Sequence, residues 1–228
     1  MHERIPLAFL LAMNQDLVPG CDLAIEVCYL PLLEVFEAHP GIKWNLEVSG
    51  TLLDWAAWHQ PRFVDAIARM HASGQLELVA STFSRNILYC SQPDAVADSI
   101  RFHKDLLASC FGAVPRGFLN PGKVWSHEYI PQIAAAGLDW TYVDERVLRA
   151  SGVRDKLFCA RRGAADGAEV IMLTDSLSFT SGMQDAIEHF SVTRYEAVVQ
   201  YLAELQRGSP DGVFTYCEHA ETSGLWQY

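Results

Sequence analysis

Carboxylates, imidazoles and large aromatic residues recur just after short apolar runs. The segment "EHAE" brings Glu218, His219 and Glu221 within four residues, and "NQD" near the N-terminus adds Asn14, Gln15 and Asp16. Asp144, Glu145 and Asp175 follow other apolar runs. Paired acids suit cleavage of a glycosidic bond, which needs two carboxyl groups flanking it, about 5–5.5 Å apart for retention and further apart for inversion. Trp125, Tyr216 and Trp226 stand beside these acids, where they could stack on sugar rings or simply pack the core. A second chemistry is open to the same groups. Asp16 and His219 with Glu218 or Glu221 could hold a divalent ion, as in a metal-dependent sugar hydrolase or a deacetylase-like enzyme. The chain has no H-x-x-E-H, H-E-x-x-H or paired-Asp plus H-x-x-x-H pattern, so no metal is assigned. The turn "NPGK" (120–123) has the setting of an active-site loop, yet it carries no acid, nucleophile or metal ligand.

Other classes are excluded by what is missing. No G-x-G-x-x-G, G-x-x-x-x-G-K-[ST] or G-x-S-x-G occurs, so no nucleotide cofactor or serine nucleophile is expected. Twenty-eight acids against seventeen bases give a net charge of -11, which argues against nucleic acid and favours a neutral or cationic ligand. Six scattered cysteines without a C-x-x-C read as reduced thiols of a cytoplasmic protein. The apolar run Pro6–Met13 is too short to span a membrane and lacks a cleavage site, so a buried strand is expected there.

The elements that must position these groups alternate along the chain. Apolar strand-like runs at 6–13, 44–49, 75–81, 117–120, 139–143, 169–174 and 212–217 are separated by helical periodicities. In the helix beginning near Ser91 the stripe is Val96, Ile100, Leu107 and Cys110, with Gly112 as its stop; His103 on that face reads as a packed, hydrogen-bonded core residue. Another helix has Thr193 and Glu196 as a capping box and ends at Gly208. A third places Phe63, Ile67 and Met70 on one face, and "RRGAADGAE" (161–169) reads as a flexible excursion. Strand–helix alternation implies an α/β fold of parallel strands, either an open doubly wound sheet or a barrel. Ligands in both bind at the carboxyl ends of the strands.

The order of segments resembles glycoside hydrolase family 57, the α-glucan-acting amylases, 4-α-glucanotransferases and branching enzymes. The resemblance extends over nearly all 228 residues and is carried by "YLPLLEVFEAHPGIKWNLEVSGTLLDW" (29–55), "SGQLELVAS" (73–81), "KVWSHEYIPQIAAAGLDWTYVDE" (123–145) and "EHAETSGLW" (218–226). It implies a single domain over 1–228, an incomplete (β/α)7, TIM-barrel-like fold, and an oligosaccharide or α-glucan as partner. By resemblance, Glu77 matches a substrate-site glutamate, Trp125 the tryptophan after the nucleophile turn, and Glu128 and Asp144 acids of the same motif. Glu221 matches the glutamate of a D-x-E motif, with Trp226 beyond it, while Asn14 and Gln15 lie in the first motif. The departures fall on chemistry: Asn14 and Asp16 replace the His and Pro of His-Gln-Pro, "FSRN" replaces an aromatic-Glu-Pro tail, Gly122 the nucleophile and His219 the general acid. Three readings follow: relocated catalysis on Asp16, Glu218, His219 and Glu221; a glucan-binding pseudoenzyme; or a relative in fold alone, with another ligand. The last motif runs nearly to Tyr228, which reads as a barrel shortened at its C-terminal end, with an exposed final strand that leaves room for a homo-oligomer.

Overall fold

The computed structural model describes residues 6–15, 18–154 and 157–224. Its strands are β1 Leu7–Met13, β2 Trp44–Val48, β3 Leu76–Leu78, β4 Gly117–Phe118, β5 Trp140–Asp144, β6 Arg161–Ala165, β7 Ala168–Asp175 and β8 Phe214–His219. Between them run α1 Val18–Ala24, a π turn Ile25–Tyr29 that continues into α2 Leu30–Glu37, then α3 Gly50–His59, α4 Pro61–Ala72 and α5 Pro93–Phe111. The remaining helices are α6 Tyr129–Ala135, α7 Glu145–Ala150, α8 Leu177–Glu188 and α9 Val192–Gly208. The strand order is β3-β2-β1-β8-β7-β5-β4, all parallel, with β6 attached antiparallel to β7. At the open edge, the Ala80 amide donates to the Gly117 carbonyl at 2.9 Å and the Leu119 amide to the Ala80 carbonyl at 2.8 Å. The sheet is therefore nearly closed, and the expected (β/α)7 barrel is the fold the chain adopts.

Local expectations fare unevenly. Residues 161–169 are not an excursion: they form the β6–β7 hairpin around Asp166 (φ 49°) and Gly167 (φ 78°), a left-handed pair that two-residue hairpins require. Helix α5 is entered from Gln92 with Pro93 in its first turn, and no side chain caps it, so Ser91 is not its cap. Helix α9 is capped by Ser191, whose hydroxyl accepts from the Arg194 amide, so the Thr193–Glu196 box does not form. Strand β8 lies between β1 and β7 and is no exposed edge, which removes the ground for self-association through it.

Alternation along the strands sorts the core into two shells. Leu11, Met13, Leu46, Val48, Leu76, Leu78, Phe118 and Phe214 pack outward against the helices. Leu10, Ala12, Val79, Leu119, Tyr142 and Cys217 fill the barrel centre. Because Trp44, Leu46 and Val48 point outward, Asn45 and Glu47, which alternate with them, point inward, Asn45 towards the amino end of the barrel and Glu47 towards the carboxyl end. The register sets Ala12 between Glu47 on β2 and His219 on β8, and Asp144 beside Asp175. Charge thus collects at the carboxyl ends of the strands, above an apolar plug.

Candidate functional site at the carboxyl ends of the strands

Glu221 follows β8 and is 3% exposed. Its Oε1 accepts from the Asn14 amide at 2.9 Å and from the Tyr29 hydroxyl at 2.5 Å; that hydroxyl accepts in turn from the Gln15 amide at 3.1 Å. Tyr29 comes from the π turn, a local widening of the helix of the kind often found at functional sites. Burial, together with the neighbouring Glu221 carboxylate, holds the Tyr29 phenol protonated far above its ordinary range. The other oxygen of Glu221, Oε2, has no hydrogen-bond partner among the described residues and lies 3.8 Å from His219 Nδ1. That distance is electrostatic contact, not a hydrogen bond. Burial lowers the His219 pKa, and nearby Arg85 adds to this while Glu221 opposes it. Glu218 accepts from Gln184 of α8 at 2.5 Å and from the His219 amide at 2.8 Å; burial raises its pKa.

Two further pairs fill the mouth. Lys123 donates to Asp175 Oδ2 at 2.6 Å and to the Cys217 carbonyl at 2.7 Å, reaching across from the turn after β4 to β7 and β8. Gly122 (φ 67°) and Lys123 (φ 54°) are both left-handed, and this is how the turn aims the lysine inward. Burial would lower the Lys123 pKa, but Cys217 and Asp175 reverse it, so the ammonium stays charged. Glu47 is 0% exposed, and burial pushes its pKa up to about 7, with Arg85 offsetting part of the shift. Arg85 Nη1 lies 3.5 Å from Glu47 Oε2, and neither carboxylate oxygen has a hydrogen-bond partner among the described residues. Asn120, 2% exposed, likewise leaves both ends of its amide unpaired. Arg85, Asn120, Lys123, Glu218 and His219 border one cavity of about 160 Å³.

The structure brings together Asn14, Gln15, Glu218, His219 and Glu221. Asp144 joins the same rim, but it caps α7 through the Arg146 amide at 2.7 Å and is paired with the Arg146 guanidinium. Trp125 is half-buried, edge-on to Tyr129 at 6.1 Å, and Glu128 is exposed at the entrance to α6. Glu77 lies at the other end of the barrel, beside Asn45 and Trp140. Asp16 and Trp226 fall outside the described residues. Among those described, no three His, Cys, Asp or Glu side chains converge in a group that could hold a metal ion. Sequence reasoning passed over Glu47, Arg85, Lys123 and Tyr29. The signal for Glu47 was available: an acid flanked by Leu46 and Val48 in a buried strand has to face inward.

The chain matches the model of glycosyl hydrolase family 57 over residues 5–228. It is 26% identical to an alpha-amylase of Pyrococcus furiosus over 204 residues, covering 89% of this chain and 30% of that protein. It is 27% identical to a 4-alpha-glucanotransferase of Thermococcus kodakarensis over 205 residues, covering 89% and 30%. In structure it matches the 4-alpha-glucanotransferase from Thermococcus litoralis with a TM-score of 0.89 at 23% identity, over 98% of this chain and 35% of that one. A branching enzyme from Pyrococcus horikoshii matches with a TM-score of 0.77 at 9% identity, over 97% and 64%. The chain thus spans about 30% of the length of the curated relatives it matches.

Proposed function

This chain belongs to glycosyl hydrolase family 57, and we propose that its barrel binds an α-glucan across the carboxyl-end mouth without forming a covalent glycosyl intermediate. The observation that carries this reading is the Lys123–Asp175 pair. A double displacement needs a nucleophilic carboxylate, the family resemblance puts that group at position 122 on the turn after β4, and glycine there offers no group that could attack a sugar. The turn instead sends an ammonium across the mouth, where it is held at 2.6 Å by Asp175. Three other acids of the mouth are also engaged, Asp144 by Arg146, Glu218 by Gln184, and Oε1 of Glu221 by Tyr29, while Glu47 is fully buried. An aromatic group for a sugar face remains on the segment after the β4 turn, where Trp125 is half-buried. Stacking on such rings supplies affinity without chemistry.

Titration calorimetry with maltoheptaose tests this. Trp125→Ala is expected to weaken binding about tenfold, the loss of roughly 1.4 kcal/mol of stacking. Absence of binding to the unmodified protein would sink the reading. A second reading, hydrolysis by relocated groups, draws on the unpaired Oε2 of Glu221 facing His219 at 3.8 Å. In it, Glu221 would orient His219 as a proton carrier. Sugar release that disappears in Glu221→Gln would favour that second reading.

A further inference from the structure

The apolar plug of the barrel has a cavity on its far side as well. At the amino ends of the strands, a space of about 370 Å³ is bordered by Asn45, Glu77, Arg116, Trp140 and Tyr142. Tyr142 is only 4% exposed, yet its hydroxyl has no hydrogen-bond partner among the described residues. Buried hydroxyls are almost always paired, so this one points to a missing partner. Glu77 sits between the buried Leu76 and Leu78 but is itself exposed, with neither hydrogen bond nor ion pair among the described residues. Trp140 is specifically accommodated. A Cβ at Gly117 would fall 2.1 Å from its ring, so only glycine there lets the indole lie across β4. The indole packs edge-on to Tyr142, with ring centroids 5.3 Å apart. Asn45 donates Nδ2 to the Phe9 carbonyl at 2.9 Å, and the Arg116–Asp139 pair at 2.6 Å sits on the rim.

We propose that this amino-end cavity binds a single neutral sugar ring, separately from the carboxyl-end mouth. Trp140 forms the wall for the apolar face of the ring, while the Glu77 carboxylate accepts from its hydroxyls and the Tyr142 hydroxyl completes its bonding with another. The cavity lies near the lower end of the 300–1,000 Å³ typical of small-molecule pockets, which suits one ring over a chain. Its charge disfavours an anion: Arg116 is already matched by Asp139, and Glu77 leaves one acid over in a chain of net charge -11. No residue of the mouth takes part, so the site stands whether or not the mouth binds glucan.

Glucose and methyl α-glucoside, titrated into the ¹⁵N-labelled protein and followed by two-dimensional NMR, read the site directly. Expected are shifts of the Trp140 indole N–H and of the amides of Asn45, Glu77 and Arg116. Glu77→Gln and Tyr142→Phe should each weaken glucose binding about tenfold, and Glu204→Gln on the exposed face of α9, away from both ends of the barrel, should leave it unchanged. Tyr142→Phe keeps the ring in the plug. Glu77→Gln alters an exposed group, so at least one variant reports on binding in an intact fold. The proposal is overturned by shifts confined to the carboxyl-end residues, by undiminished affinity in both variants, or by a protein that binds neither sugar. Maltoheptaose in the same experiment separates the two ends: shifts around Trp125 report the mouth, and those around Trp140 report this cavity.

Discussion

Glu47→Gln is expected to stabilise the protein at neutral and alkaline pH and to change little below pH 4. The carboxyl is fully buried and its pKa stands at about 7 in the folded chain, against 4.5 for an ordinary glutamate. Between those values the folded state keeps a proton that the unfolded chain has released. Folding therefore loses stability as pH rises through this window. Each pKa unit corresponds to 1.36 kcal/mol, so the accumulated cost above pH 7 is about 3 kcal/mol. Glutamine does not titrate and escapes it. For a chain of this length that is a melting-temperature gain of roughly 6–12 °C at pH 8, shrinking to nothing near pH 4. Arg85 is already part of this balance, since at 3.5 Å without a hydrogen bond it offsets only a fraction of the burial. Circular-dichroism melts of both proteins from pH 4 to 8.5 measure the gap. A glutamine variant less stable than the parent at pH 8 would instead show Glu47 and Arg85 to be a net stabilising ion pair.

Lys123→Met strands Asp175, whose side chain is 3% exposed, and should cost about 3–5 kcal/mol at pH 7 in urea unfolding, and less where the carboxyl is protonated. An unchanged midpoint would mean the pair does not hold the turn. Gly122→Ala meets ordinary contacts at 3.6–3.8 Å but inherits φ 67°, so a loss of about 1 kcal/mol is expected from backbone strain alone. Gly122→Glu adds one carboxyl group without freeing the second that bond cleavage needs, so it should release no sugar from maltoheptaose; activity gained by that single change would show the turn can still present a nucleophile. His103→Leu removes partners from the Ser81 amide and the Val48 carbonyl, each held at 2.8 Å in a fully buried setting. It should cost about 3 kcal/mol, and a loss under 1 kcal/mol would contradict that account.

Much of the barrel was legible because strand and helix periodicities are local. Apolar runs such as "PLAFLLAM" declare buried strands, and Phe63, Ile67 and Met70 lie on one helical face as their spacing requires. His103 was readable for the same reason: an imidazole on an apolar stripe has to find buried partners. The β6–β7 hairpin was missed because its turn, Asp166–Gly167, looks like any glycine-rich loop until its flanks are seen to pair. The site was harder. "EHAE" and "NQD" announced themselves by composition, but Tyr29 reaches Glu221 across 192 positions and Lys123 reaches Asp175 across 52. No local pattern encodes such contacts. Glu77 shows the converse, since its motif was plain while its position at the amino end depends on the register that sets it opposite Asn45, near the start of β2.

The proposed role of the mouth is to hold glucan without cleaving it. The direct measurement is product analysis by mass spectrometry after prolonged incubation of the unmodified protein with maltoheptaose, at concentrations where calorimetry shows binding. Intact maltoheptaose is expected, with neither shorter nor longer chains and no glycosylated protein. Shortened or transferred chains that vanish in Glu221→Gln would contradict it and place the chemistry on Glu221 and His219.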